Sequence, residues 1–200
     1  SFESIVIELV KRLGYGDKND PMTGIRVGGT GDGGIDGVIK EHLESVITKL
    51  RETGAQFKIE NAKIYVSATN NLKPVNLKTQ VYPGFPTDLG QPMSTLLTQC
   101  MGESLFEETI YENRFQNIYD TNRMGANIIV KENKIAKIKG VTSLHGKSVT
   151  ATDLRGGASM LICGLIADGT TQIDNIKYIL RGYDNICEKL SNVGAKIELI

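Results

Sequence analysis

Thr53-Gly54-Ala55-Gln56-Phe57, Met124-Gly125-Ala126-Asn127-Ile128 and Val193-Gly194-Ala195-Lys196-Ile197 share one reading: a helix ends on glycine and turns at once into a short apolar strand. The three glycines lie 71 and 69 residues apart. Glycine is expected just past a helix C-terminus, because it takes the left-handed conformation there without a Cβ clash. A second echo keeps nearly the same period. Thr87-Asp88-Leu89 and Thr152-Asp153-Leu154 stand 65 apart, and each opens an apolar run. The spacing predicts one domain over 1–200 built from three repeated units, near 21–70, 71–139 and 140–200.

Working outward, Glu41 to Arg51 reads as a helix, with Leu43, Val46, Ile47 and Leu50 on one stripe. Phe57–Ile59 and Lys63–Val66 alternate as two strands around a turn, and Val75–Val81 reads as a third. Tyr82-Pro83-Gly84-Phe85-Pro86 is a shaped loop, after which Thr87 or Asp88 is placed to cap a helix running to Cys100. Strand Leu105–Tyr111, helix Arg114–Met124 and strands Asn127–Lys131 and Lys134–Lys139 complete the middle unit. The third unit predicts strand Ser148–Ala151, helix Leu154–Ala167, strand Thr170–Ile173, helix Tyr183–Val193 and strand Lys196–Leu199. The class is therefore α/β, with βαβαββ-type units. The run Ala158–Leu165 is apolar nearly all round, so the repeated helices should be buried at the centre with sheets outside.

The N-terminal stretch is less regular. Residues 2–12 fit a helix or a strand, and Gly14–Pro21 reads as a polar turn. Seven of the fourteen residues from Gly24 to Gly37 are glycine. Gly29-Thr30-Gly31-Asp32-Gly33-Gly34 matches GxGxxG in form, but a dinucleotide site needs a helix opening inside the motif. Ile35-Asp36-Gly37-Val38 read instead as strand and turn, which makes the segment a glycine-rich loop.

Lys+Arg and Asp+Glu both number 23, a balance that argues against a nucleic-acid surface or a polybasic membrane patch. No apolar run approaches the roughly eighteen residues of a spanning helix. Cys100, Cys163 and Cys187 lack metal or disulfide spacing and read as buried thiols in a reducing cytosol. The chain opens on Ser1 and not Met, the expectation for a fragment or processed chain.

His42 and His145 stand outside any nucleophile or metal motif. Asp88 is more informative, because it follows a proline-constrained loop. It reads either as a helix cap or as a carboxylate held rigidly for general-base work. Arg114, Arg155 and Arg181 sit at loop–helix junctions, the last two beside glycines that would let a ligand approach. Each alone reads as a solvated or paired side chain. Together they could converge on one anion, since guanidinium groups bind phosphate and carboxylate in bidentate fashion.

Pro83-Gly84-Phe85-Pro86-Thr87-Asp88, Tyr111-Glu112-Asn113-Arg114-Phe115, Arg123-Met124-Gly125-Ala126, Ala151-Thr152-Asp153-Leu154-Arg155 and Arg181-Gly182-Tyr183 resemble the UDP-N-acetylglucosamine enolpyruvyl transferases. Glu41-His42-Leu43-Glu44-Ser45 is similar too, so the resemblance runs from about Val38 to Ile200 and corresponds to the family's C-terminal part. It implies an inside-out α/β barrel and transfer of the enolpyruvyl group of phosphoenolpyruvate to a UDP-sugar 3-hydroxyl. That step opens peptidoglycan synthesis in the cytoplasm, without metal or cofactor.

By resemblance Asp88 binds the sugar hydroxyl and takes its proton, and the Ile110 backbone contacts the UDP-sugar. Arg181 engages phosphoenolpyruvate, with Arg155 and Arg114 beside it in the charged cleft. The resemblance also implies a second lobe carrying a reactive-cysteine loop, a Lys-Asn pair and another substrate arginine. Nothing in this sequence matches those parts, so the chain alone is expected to be inactive. Alternatives are a non-catalytic domain that at most binds the UDP-sugar, or a relative of the 5-enolpyruvylshikimate-3-phosphate synthase type. Departures from the family pattern are Gly90, where Gln is usual, Gly156, where Ala is usual, and residues 1–37, which do not follow it.

Overall fold

A computed structural model describes residues 34–60, 63–67, 71–192 and 194–200. The readings of residues 2–33, including most of the glycine-rich loop, lie outside the described residues, as do turn residues 61 and 62.

Helix α1 (Gly34–Glu52) leads into hairpin β1 (Gln56–Glu60) and β2 (Lys63–Ser67), paired antiparallel with Glu60 opposite Lys63. Residues 35–38 are thus helical, against the expected strand and turn. Gly34 and Gly37 weaken helix propensity, but Ile35, Val38, Leu43, Val46 and Leu50 continue one helical apolar period, and that period prevails. Leu43, Val46, Ile47 and Leu50 form the buried stripe.

The middle of the chain is β3 (Leu77–Lys78), α2 (Gly90–Leu97), β4 (Gly102–Glu107), α3 (Ile118–Arg123), β5 (Asn127–Lys131) and β6 (Ile135–Gly140). Its sheet has the order β3-β4-β6-β5, with β3 parallel to β4 and the other pairs antiparallel. In the three-residue β5–β6 connection Glu132 and Asn133 take positive φ, as the two central residues of a turn that Lys134 N closes on Lys131 O at 3.0 Å.

β3, β4 and α3 are shorter than the sequence suggests, and α2 stops at Leu97, short of the expected Cys100. β3 has two residues, because side chains replace the ladder before it: Val75 N donates to Ser104 Oγ at 3.1 Å and Leu105 N to Asn76 Oδ1 at 3.0 Å. β4 ends at Glu107, since the amides of Ile110 and Tyr111 turn to the Glu108 carboxylate. Turns fill 112–117, and α3 starts only at Ile118.

The last section holds β7 (Ser148–Thr150), α4 (Leu154–Ile166), β8 (Gln172–Asp174), α5 (Lys177–Leu180) and α6 (Ile186–Asn192), with β7 and β8 parallel. α4 matches the expected helix. α6 begins three residues late, because Asn185 has φ 51°, outside the right-handed helical region. Residues 196–199 pair with no strand among the described residues, so the expected strand is absent, and Leu199 and Ile200 are exposed. Gly54, Gly125 and Gly194 take positive φ (101°, 117° and 94°), the conformation expected of a residue just past a helix.

All eight residues of α2 are buried. One side of α2 meets the sheet through Leu96, Leu97, Phe106, Ile128, Ala136 and Ile138, and Val46 and Leu50 of α1 close the same core. Its other side packs on α4 through polar contacts: Thr95 Oγ1 lies 2.7 Å from Ser159 Oγ, and Ser159 Oγ donates to Gln91 O at 3.2 Å. A second core joins α4 to Ile179, Tyr183, Ile186 and Leu190. This contact of α2 on α4 brings Thr87-Asp88-Leu89 and Thr152-Asp153-Leu154, which open the two helices, to one end of the molecule.

Candidate functional site

Those two similar tripeptides do different work. Asp153 caps α4, its Oδ1 accepting from Arg155 N at 2.7 Å and Gly156 N at 3.0 Å. Neither Thr87 nor Asp88 caps α2, contrary to expectation. A 3-10 turn over Thr87–Leu89 intervenes, and no side-chain cap bond is made. The Asp88 carboxylate is therefore free to face across the α2–α4 junction.

Two guanidinium groups meet it there. Arg155 Nη2 donates to Asp88 Oδ2 at 2.5 Å, and Arg114 Nη2 donates to Oδ1 at 3.3 Å. Arg114 is 8% exposed and is held on three sides. Its Nε donates to Thr87 Oγ1 at 3.1 Å, its Cζ lies 4.4 Å over the Tyr111 ring, and its carbonyl accepts from Gln91 Nε2 at 2.7 Å. The Arg155 side chain is 24% exposed and that of Asp88 41%, so this pair opens to solvent.

The Arg155 hydrogen bond does most to hold the Asp88 carboxyl below the usual carboxylate range, helped by the charge of Arg155 and of Arg114, while partial burial opposes them. Asp88 in turn raises Arg155, and Tyr183 and Asp153 add to that effect.

Of the three arginines expected to converge, two do so, and the group they meet is Asp88. Arg181 lies at the end of α5, exposed, 5.4 Å from the Tyr178 ring, and joins no ion pair among the described residues. It is still near the site, because Gly182 presses on Leu154, where an added Cβ would meet Cδ1 at 2.6 Å. Ile110 is 45% exposed, and its amide donates to Glu108 Oε1 at 2.8 Å. His145 is exposed, and Cys100 and Cys163 are buried thiols pushed up to about 11 by desolvation. Cys187 is only half-buried, a correction to the expected third buried thiol.

Gly90 has a physical reason. A Cβ there would meet Phe106 Cζ at 2.5 Å, so the fully buried ring fills the space a larger residue would need. At Gly156 a Cβ would meet the Thr152 hydroxyl at 2.5 Å. A groove of about 860 Å³ lies between α1, β3, β4 and the Gln80–Phe85 loop; it includes none of Asp88, Arg114 and Arg155. The described residues hold no cluster of His, Cys, Asp or Glu suited to a metal ion. None of their helices is long and apolar enough to cross a membrane.

Residues 28–190 match the family model described as EPSP synthase (3-phosphoshikimate 1-carboxyvinyltransferase). The chain belongs to this family. It is similar, at 47% identity over 163 residues, to UDP-N-acetylglucosamine 1-carboxyvinyltransferase 2 of Listeria monocytogenes, covering 82% of this chain and 38% of that protein. Its identity to the protein of the same name from Streptococcus thermophilus is 49% over 166 residues, covering 83% and 39%. Among solved structures, the enolpyruvyl transferase NikO from Streptomyces tendae superposes with a TM-score of 0.74 at 26% identity, covering 82% of this chain and 38% of that one. The chain thus spans about two-fifths of the length of the relatives it matches.

Proposed function

We propose that this chain is part of a UDP-N-acetylglucosamine 1-carboxyvinyltransferase, a cytoplasmic enzyme of peptidoglycan synthesis. The observation that carries the reading is Asp88 set between Arg114 and Arg155 within a sequence close to half identical to relatives of that name. The reaction adds the sugar 3-hydroxyl oxygen to C2 of phosphoenolpyruvate while C3 gains a proton. Loss of phosphate and of a C3 proton then restores the double bond.

In this reading Asp88 accepts the hydroxyl hydrogen bond and takes its proton, and the Ile110 backbone contacts the UDP-sugar. Arg114 and Arg155, with Arg181 swinging in from α5, hold the carboxylate and phosphate of the second substrate. A carboxylate held low is a weak base, and general-base work favours a pKa near the working pH. As the substrate anion draws the guanidinium groups to itself, Asp88 loses the partners that hold it low, and its basicity rises. Charge developing on the departing phosphate is then stabilised by the guanidinium groups drawn to it.

The three-unit inside-out barrel, with α2 and α4 as two of its central helices, belongs to the same proposal. The burial of α2, its packing on α4 and the likeness to NikO support it. The remaining length of the relatives is where the reactive-cysteine loop, the Lys-Asn pair and a further arginine are expected. A second reading, transfer to shikimate 3-phosphate, draws on the family description. Phosphate release from phosphoenolpyruvate by the parent protein separates the two. Release dependent on UDP-N-acetylglucosamine is the expected result, and release only with shikimate 3-phosphate would sink the proposal.

A further inference from the structure

Glu108 is 3% exposed, and no step above uses it. Its carboxylate accepts four hydrogen bonds. Oε1 takes the Thr79 hydroxyl at 2.8 Å, the Ile110 amide at 2.8 Å and the Tyr111 amide at 2.9 Å. Oε2 takes the Thr87 hydroxyl at 2.9 Å. An ionised carboxylate has lone pairs and no donor, so the direction of every one of these bonds is forced.

The Thr87 hydroxyl, with its proton committed to Glu108, can offer only lone pairs on its other side, and Arg114 Nε–H takes one at 3.1 Å. Arg114 then reaches Asp88 through Nη2. The same logic holds at Thr79, whose hydroxyl donates to Glu108 and accepts from Thr109 N at 2.8 Å. One carboxylate thereby orders the loop that carries Asp88, the loop that carries Ile110, and the guanidinium between them.

We propose that Glu108 is a positioning residue of the substrate site: it fixes the Thr87 hydroxyl that aims Arg114 at Asp88, and it pins the Ile110 and Tyr111 amides. The proposal rests on the reading of Asp88, Arg114 and Ile110 as substrate-binding groups. A carboxylate that only knits strand ends together would affect stability and leave the Asp88–Arg114 geometry alone.

The two roles separate by sign. Removing the negative charge of Glu108 would, through space alone, make Asp88 easier to ionise and move its titration down. Releasing Arg114 from Asp88 moves it up. The test is the Asp88 titration, followed by carboxyl-carbon NMR, in the folded wild-type chain, Glu108→Gln, Thr87→Val and Thr87→Ser. Arg155 continues to hold Asp88 down, so the expected result is a partial upward move in Glu108→Gln and Thr87→Val, with Thr87→Ser close to wild type. A downward or unchanged value in folded Glu108→Gln, or an unchanged value in Thr87→Val, overturns the proposal. Should Glu108→Gln not fold, Thr87→Val decides alone. No substrate enters this titration, so a failure of the enolpyruvyl reading shows in phosphate release and leaves this result to stand or fall separately.

Discussion

Arg155, with help from Arg114, holds the Asp88 carboxyl of the folded chain below the usual carboxylate range. The ion pairs therefore contribute stability above the unfolded carboxylate value of about 3.9, and that contribution is lost as pH falls through the lower folded value. Asp88→Asn is expected to cost little stability, about 1 kcal/mol at neutral pH, because the carboxylate itself is exposed and Asn can still accept from Arg114. The difference from wild type should vanish in strong acid. Thermal unfolding across pH checks this, and a difference that grows toward acid would contradict the assigned direction.

At this scale Asp88, Arg114 and Arg155 were legible, because a proline-shaped loop and neighbouring glycines set them apart. Convergence of the arginines was expected, but not that Asp88 would be the group they meet. That depends on α2 packing on α4, a contact between residues 67 apart in the chain. Glu108 was invisible, since a glutamate after an alternating strand reads as a solvated residue until folding places four donors around it. Arg181 was singled out with the others, yet it stands apart from them here.

The elements carry their own predictions. Replacing Gly90, the first residue of α2, with Ala should gain less than the roughly 1 kcal/mol of helix propensity that applies to a helix interior. It also drives a Cβ to 2.5 Å from Phe106 Cζ, against a ring that is fully buried. Overpacking of that kind costs typically 1–3 kcal/mol, so the net effect of Gly90→Ala is destabilising. Shortening the ring in Gly90→Ala/Phe106→Leu should recover part of the loss. Urea unfolding of the single and double variants measures both, and a stabilised single variant would refute the packing account. The helix α4 and the hairpin β5–β6 followed from apolar period and turn residues. β3, β4 and α6 were misjudged at their ends, where Asn76, Ser104, Glu108 and the left-handed Asn185 override the local pattern. The last strand failed for another reason: alternation marks a residue run fit for a sheet but cannot supply the neighbouring strand.

At the scale of the whole molecule, the glycine period was the strongest signal, because a helix stop needs a particular backbone geometry wherever it recurs. The parallel pairs β3–β4 and β7–β8 each bracket a helix, and the packing of those two helices, α2 on α4, brings Asp88 to Arg155. We propose above that this junction belongs to a UDP-sugar site. Calorimetric titration of the chain with UDP-N-acetylglucosamine, alongside Asp88→Ala, tests it most directly. The expected result is heat of binding from the wild-type chain that the variant loses. Equal binding by a folded Asp88→Ala chain, or no binding by either, would contradict it.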